Sequence, residues 1–327
     1  MQNNHSIKTM VRGLYDIQKL RVQMGNRIVA NFKAKELGQT AGKPEEELGG
    51  EEKRILTLLR DRFKKITDGV KAFPTKGKFK PDEVISSYSE LCLLRSYISL
   101  ETEEHTMTLQ LKHALNEFPI YTEFLENVRG CGSLMSGVII SEIDISAAKY
   151  SSSLWKYAGL DVAQDGNGRS RKKEHLVEST YINKDGDEMK KMGITFNPFL
   201  KTKLVGVLGA SFLKSKSPYA DIYYDYKNRL ENHPKHKEKT KGHRHNMAIR
   251  YCIKMFLIDL YANWRELEGL PVAAPYSEAK LGLVHHGGGQ GQIPLHEKNK
   301  YLGGFDTLEE AVAARKSAEI VDGLHEK

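Results

Sequence analysis

The sequence predicts a mainly α-helical protein with one small β-hairpin, on three observations. Apolar residues recur at three- and four-residue intervals through much of the chain, the rhythm of helices that bury one face. Between two such runs, Gly130 and Gly132 flank the small apolar Cys131, which suits a tight turn between helices. Val177, Thr180, Tyr181 and Ile182 lead into Lys184-Asp185-Gly186, which has hairpin chemistry.

Residues 1–118 read as a helical, coiled-coil-like arm. Ile7, Met10, Leu14, Ile17, Met24 and Ile28 form an apolar seam over 5–36, and Leu56, Leu59, Phe63, Ile66, Val70 and Phe73 repeat it over 51–73. The bridge between them is rich in glycine and charge and reads as a loop. Pro74 ends the second helix, and Pro81 opens a third that runs to about Asn116. Seams of this kind fit a homo-oligomer joined through the N-terminal helices, and they also fit an intramolecular bundle. Asp16, Glu51, Glu52, Asp61 and Asp68 lie in helical patterns as a charged outer face.

The next domain, 119–270, is organised by Phe124 to Val162. Ser133 can cap the helix after the glycines, whose first-turn N–H groups then form an anion site. Leu134, Val138 and Ile139 share one face of that helix, with Met135 beside them. This is the pattern of a helix-hairpin-helix, in which Arg129, Gly130, Gly132 and Ser133 meet a nucleic-acid phosphate. A plain αα-turn with glycine caps has the same pattern. Ser151 to Ala158 reads as a short helix stopped by Gly159.

The order of these parts is more specific than any one of them. A G-x-G hairpin, about twenty residues, an aromatic helix ending Ala158-Gly159-Leu160 and a polar, glycine-bearing loop follow in sequence. This run resembles the C-terminal domain of the insertion-sequence transposases of the "one-ten" group. Arg129, Cys131 and Val162 stand where that family has proline, isoleucine and a second proline. The resemblance extends more loosely to about Leu267. It implies a serine nucleophile in the loop after the aromatic helix, and Ser170 holds that position. It also implies a RuvC-like nuclease domain whose carboxylates bind magnesium. Residues 1–118 show no such strands, so no cofactor is evident, and magnesium enters only if a partner supplies the carboxylates.

The loop itself, Ala163 to His175, is expected to be mobile from its glycine and aspartate content. Arg169, Arg171, Lys172 and Lys173 surround Ser170, which suits stabilisation of a phosphoryl transition state. An exposed basic loop that touches phosphates without chemistry has the same composition, and spacing identifies no base.

Asn197-Pro198 is a helix start. The helix Phe199 to Leu213 is expected to bury Leu200, Leu204, Val207 and Leu208 and to point Lys201 and Lys203 outward, with Lys201 available to a nucleic acid. Tyr219, Tyr223, Tyr224 and Tyr226 on the helix Pro218 to Leu230 read as core and interface residues. His233 to His245 is the most basic run, and Lys235, Lys237, Lys239, Lys241 and Arg244 read as a phosphate-contacting loop before a helix Asn246 to Leu267. Its histidines lack diagnostic metal-ligand spacing. Residues 271–296 form a linker and 297–327 a strand–helix tail. In that tail the run from Tyr301 to Ala311 resembles the end of an APETALA-type DNA-binding domain.

Over 327 residues the formal net charge is +8, which suits a polyanionic partner. Three scattered cysteines argue against a disulfide framework and fit a reducing cytoplasm. The first fifteen residues lack the apolar core of a signal peptide, and the longest apolar stretch, Leu204 to Leu213, is too short to span a bilayer. The expectation is therefore a DNA-binding protein of transposase type without a membrane partner, in the cytoplasm and associated with the nucleoid. Strand transfer through Ser170 is the catalytic form of that reading. Non-catalytic binding and assembly on DNA or a structured RNA is the alternative.

Overall fold

The computed structural model describes residues 4–37 and 87–274, with short stretches between 45 and 57. Among the described residues two long helices come first: α1, Asn4–Leu37, and α2, Tyr88–Leu115. They run antiparallel, because Arg21 meets Tyr97 and Glu104 while Lys35, further along α1, meets Glu90 near the start of α2. Ser87 caps α2 by accepting from the Glu90 N–H, so this helix opens at a serine and not at Pro81. The seam expected over 51–73 and the tail over 297–327 lie outside the described residues, as does nearly all of the linker.

A short helix α3, Pro119–Glu123, and a 3-10 turn, Leu125–Asn127, lead to the glycines and then to α4, Ser133–Glu142. The sequence pattern predicts one buried face for α4. The helix is instead buried nearly all round, with Met135, Ser136, Gly137, Val138, Ile139, Ile140 and Glu142 all inside, because α1 and α2 pack on it from the N-terminal side of the chain. Ile7, Val11, Leu14, Leu111 and Leu115 thus join Val138, Ile139 and Leu257 in one apolar core that crosses position 118. Each such aliphatic side chain contributes about 1.5–3 kcal/mol on full burial. The α1 seam is accordingly met within the chain, at least at Ile7, Leu14 and Ile28.

α5, Ser151–Tyr157, ends at Gly159, as its sequence suggests. Strands β1, Val177–Ile182, and β2, Glu188–Gly193, form the expected antiparallel hairpin, with Val177 opposite Gly193 and Ile182 opposite Glu188. It stands in solvent on both faces.

Asn197 caps α6, Pro198–Thr202, through the N–H groups of Phe199 and Leu200. The segment continues through a π-helical stretch, Lys203–Leu208, into α7, Gly209–Ser215. The wider π turn keeps Leu200, Leu204, Leu208 and Phe212 in the core at four-residue steps and leaves Val207 exposed, where burial was expected. On α8, Pro218–Asn232, Tyr219 and Tyr223 are buried and Tyr224 is exposed. A four-residue helix α9, Pro234–Lys237, precedes α10, Lys241–Leu267. Thr240 caps α10, which therefore starts five residues before the expected Asn246. α10 packs on α8 and α5, and the rings of Phe212, Tyr219 and Phe256 meet at centroid distances of 4.9–5.5 Å. Buried Arg265 pins the neighbouring chain by donating to the carbonyls of Ile145, Ala148 and Pro271. Among the described residues no helix is long and apolar enough to cross a membrane.

Candidate nucleic-acid interface and serine centre

The loop after α5 is braced by its own hydrogen bonds and is not the loose segment its composition suggests. Val162 and Gly168 form an isolated antiparallel bridge, the Ala163 N–H donates to the Asn167 carbonyl, and the Arg169 N–H donates to the Asp161 carbonyl. Asp165 turns the tip by accepting from the Asn167 backbone and side chain at 2.9 and 3.0 Å. The chain then reverses through a 3-10 turn, Lys173–His175, which folds His175 back under Ser170.

Ser170 is therefore not alone. Its Oγ lies 2.8 Å from His175 Nδ1, and its backbone N–H donates to the same nitrogen at 3.0 Å. The Lys172 N–H donates to Oγ at 3.3 Å. On the far side of the ring, His175 Nε2 lies 3.1 Å from Asp165 Oδ2. The His175 side chain is only 2% exposed, whereas that of Asp165 is 40% exposed. Asn167, through its side chain and backbone, and then His175 hold the Asp165 carboxyl well below the usual carboxylate range.

Cations close the other side of the loop. Arg169, expected beside Ser170 as a phosphate-binding cation, is already paired: its Nε and Nη2 both donate to Asp161 Oδ2, at 3.0 and 2.8 Å. Lys201, expected to face outward, reaches back to donate to the Arg169 carbonyl, and Arg250 Nη2 donates to it at 3.4 Å. The Arg250 guanidinium lies over Gly168, where a Cβ would fall 1.3 Å from Nη1 and displace it. Burial, then the charge of Arg250, pushes the Lys201 amine down to about 8, against a partial offset from Asp161. Burial also lowers Arg250 and Lys254, for which Asp161 is again the favourable charge. Arg169 pairs directly with Asp161, whose Oδ1 is buried without a hydrogen-bond partner, and the charge of Asp161 also favours the charged forms of Lys201, Arg250 and Lys254. Arg171, Lys172 and Lys173 extend the positive charge to the exposed rim.

The glycine hairpin is a separate feature. Gly130 has φ +94°, and a Cβ there would meet Ser215 Oγ at 2.6 Å, so its lack of a side chain admits the chain's own α7 and not a ligand. Ser211 Oγ donates to the Gly130 carbonyl at 2.7 Å, and Arg129 donates to the Lys216 carbonyl. Gly132, not Ser133, is the N-cap of α4; its backbone is extended with φ −75°, and the space where a Cβ would project is open. Ser133 is the first helical residue and makes no cap hydrogen bond. Only the Gly132 side of the hairpin is open. Lys201 and Ser211 are ten residues apart on one helical segment, about 15 Å at 1.5 Å per residue, so the hairpin and the serine centre occupy different ends of it.

The basic run divides. Lys235, Lys237 and Lys241 are exposed, on α9 and at the start of α10. Lys239 is half-buried with its Nζ on Met247 Sδ, and Arg244 folds back to donate to the Lys237 and Lys239 carbonyls. Arg244 is thus a brace between α9 and α10, in a helix and not in the expected loop.

Sequence reasoning found Ser170 but not His175, Asp165, Asp161 or Arg250. His175 and Asp165 each stand five residues from Ser170, a symmetry that no hydrophobic period flags. Arg250 reaches the loop from another helix, which spacing along the chain does not reveal. Compared with protein-family models, curated proteins and solved structures, the chain matches none.

Proposed function

We propose that this protein binds DNA and carries out transposase-type strand transfer on it, with Ser170 as the nucleophile. The observation that carries this reading is the charge around the serine: Arg169 pairs with Asp161, Lys201 and Arg250 donate to the Arg169 carbonyl, and Arg171, Lys172 and Lys173 rim the hydroxyl, so these cations outnumber the loop's carboxylates Asp161, Asp165 and Glu174. A partly desolvated excess of cations is a site for an anion, and a phosphodiester brings the charge that offsets it. The same cations stabilise the further negative charge that develops on the phosphoryl oxygens as Oγ attacks phosphorus. Among the described residues no three His, Cys, Asp or Glu side chains converge to hold a metal ion. No step is assigned to magnesium, and carboxylates that bind it belong to a partner in this reading.

Incubation with nicked and junction DNA, with and without a magnesium-binding nuclease partner, tests the proposal. The expected product is a covalent protein–DNA adduct that survives denaturant. Ser170→Ala should abolish it while leaving binding within about threefold, since one hydroxyl contributes on the order of 1 kcal/mol to a phosphate contact. Ser179→Ala, on the exposed β1, should leave the adduct unchanged. An adduct that persists in Ser170→Ala would sink the assignment. The exposed Lys235, Lys237 and Lys241, which lie outside the serine centre, favour a second reading if binding occurs without any adduct: a non-catalytic binder of DNA or structured RNA.

A further inference from the structure

The serine centre holds more than a nucleophile and an anion site. We propose that His175 is the general base of Ser170 and that Asp165 is the residue that positions it, so that the serine is activated within this chain. This deepens the reading of Ser170 as a nucleophile and rests on it.

The hydrogen-bond directions carry the argument. Nδ1 of His175 faces two donors, the Ser170 N–H at 3.0 Å and the Ser170 hydroxyl at 2.8 Å. The backbone N–H can only donate, so the nitrogen it meets holds the lone pair; the Ser170 hydroxyl then donates to that nitrogen as well, and the ring proton sits on Nε2, aimed at Asp165 Oδ2. The Lys172 N–H occupies a lone pair of Ser170 Oγ, which turns the hydroxyl hydrogen towards the imidazole. Ser170 Oγ is thereby a donor to a basic nitrogen whose opposite side is held by a carboxylate. The arrangement follows the logic of an activated nucleophile, base and orienting acid, with the two ring nitrogens in exchanged roles relative to the serine proteases. Burial of the His175 ring fixes its plane, and Asp165 stays ionised because Asn167 binds both of its oxygens.

The step balances within these groups. As Oγ forms its bond to phosphorus, the hydroxyl proton moves to Nδ1, and the imidazolium is stabilised through Nε2–H by Asp165. The phosphorus–oxygen bond to the leaving strand breaks, and the imidazolium returns the proton to that strand's sugar oxygen. One phosphodiester is exchanged for another with serine as the alcohol, and no oxidant or reductant takes part. Removal of the serine proton therefore needs no carboxylate from another subunit.

A fluorophosphonate ester tests this without knowledge of the DNA target. In that reaction Oγ–P forms, P–F breaks, fluoride leaves, and the proton passes to Nδ1 and then to solvent. The full-length protein should be labelled at Ser170, as located by peptide mass spectrometry. His175→Asn keeps an acceptor near the Nδ1 position without its basicity, and should slow labelling by about 100-fold or more. Asp165→Asn should slow it by about tenfold and move the 15N resonances of His175 towards a mixture of tautomers, which a merely structural role would not do. Added imidazole should restore part of the rate in His175→Ala. Labelling of His175→Asn within threefold of the parent, in a variant with an unchanged circular dichroism spectrum, would show that the three side chains only brace the loop. Failure of the parent to label at Ser170 would overturn the proposal equally. A labelled Ser170 with no DNA adduct would refute the DNA substrate and leave the base in place, so the two failures are distinguishable.

Discussion

Lys201 shows how one residue's environment turns into a measurable property. Its amine is pushed from 10.5 down to about 8 by burial and by Arg250. The unfolded chain therefore binds this proton more tightly, and between about pH 8 and 10.5 this group makes stability rise with pH. A bound phosphate reverses the preference and favours the charged amine, so binding takes up a proton. DNA affinity is expected to fall as pH rises through 8, and Lys201→Met should flatten that dependence. Equilibrium titrations from pH 7 to 9.5 measure it; identical slopes for the parent and Lys201→Met would remove Lys201 from the interface.

At the scale of elements, Glu142 ties three helices together. Its side chain is 3% exposed and accepts from Arg12 of α1 at 2.6 Å, with Lys8 at 3.6 Å. Its second oxygen accepts from Asn197 Nδ2 at 2.7 Å, and Asn197 is the residue that caps α6. The end of α4 is thus bonded to α1 and to the start of the segment that carries Lys201. Glu142→Ala is expected to cost about 2 kcal/mol, less than for a fully buried pair because half-exposed Arg12 can regain water. Glu142→Gln should cost less, since it keeps an acceptor for Asn197. Urea midpoints compare the three proteins, and an unchanged midpoint in Glu142→Ala would show that packing alone joins these helices.

At the scale of the whole molecule, the basic side chains that bear on binding lie, among the described residues, in separate places: the serine centre with its exposed rim and the α9–α10 corner. Each phosphate neutralised on duplex DNA adds about 0.9 to the slope of log affinity against log salt. Glutamine at Lys235, Lys237 and Lys241 together should lower that slope by up to about 2.7 and weaken binding to all sequences alike. Glutamine at Lys239 should change it little, because that amine rests on Met247. An unaltered slope in the triple variant would make the corner a solvated face only. The catalytic proposal would survive that result, because its cations sit on other residues.

The sequence by itself determined the local elements. Asn197-Pro198, Gly159 and Gly186 fixed a helix start, a helix stop and a hairpin turn, since capping, a left-handed φ and turn chemistry depend on a few adjacent residues. The helical seam of α1 was legible from its apolar spacing, whereas Ser170 was singled out only by the resemblance to a transposase family. Tertiary structure decided what those elements face. It buried α4 on all sides, covered Gly130 with α7, drew Arg244 into a brace and brought Lys201 and Arg250 to the carbonyl beside Ser170. It also folded His175 under Ser170, where the pairing depends on a turn of five residues and a buried ring. Such contacts depend on the direction of side chains in three dimensions, and periodicity along a chain records only the face of each helix, not the partner that meets it.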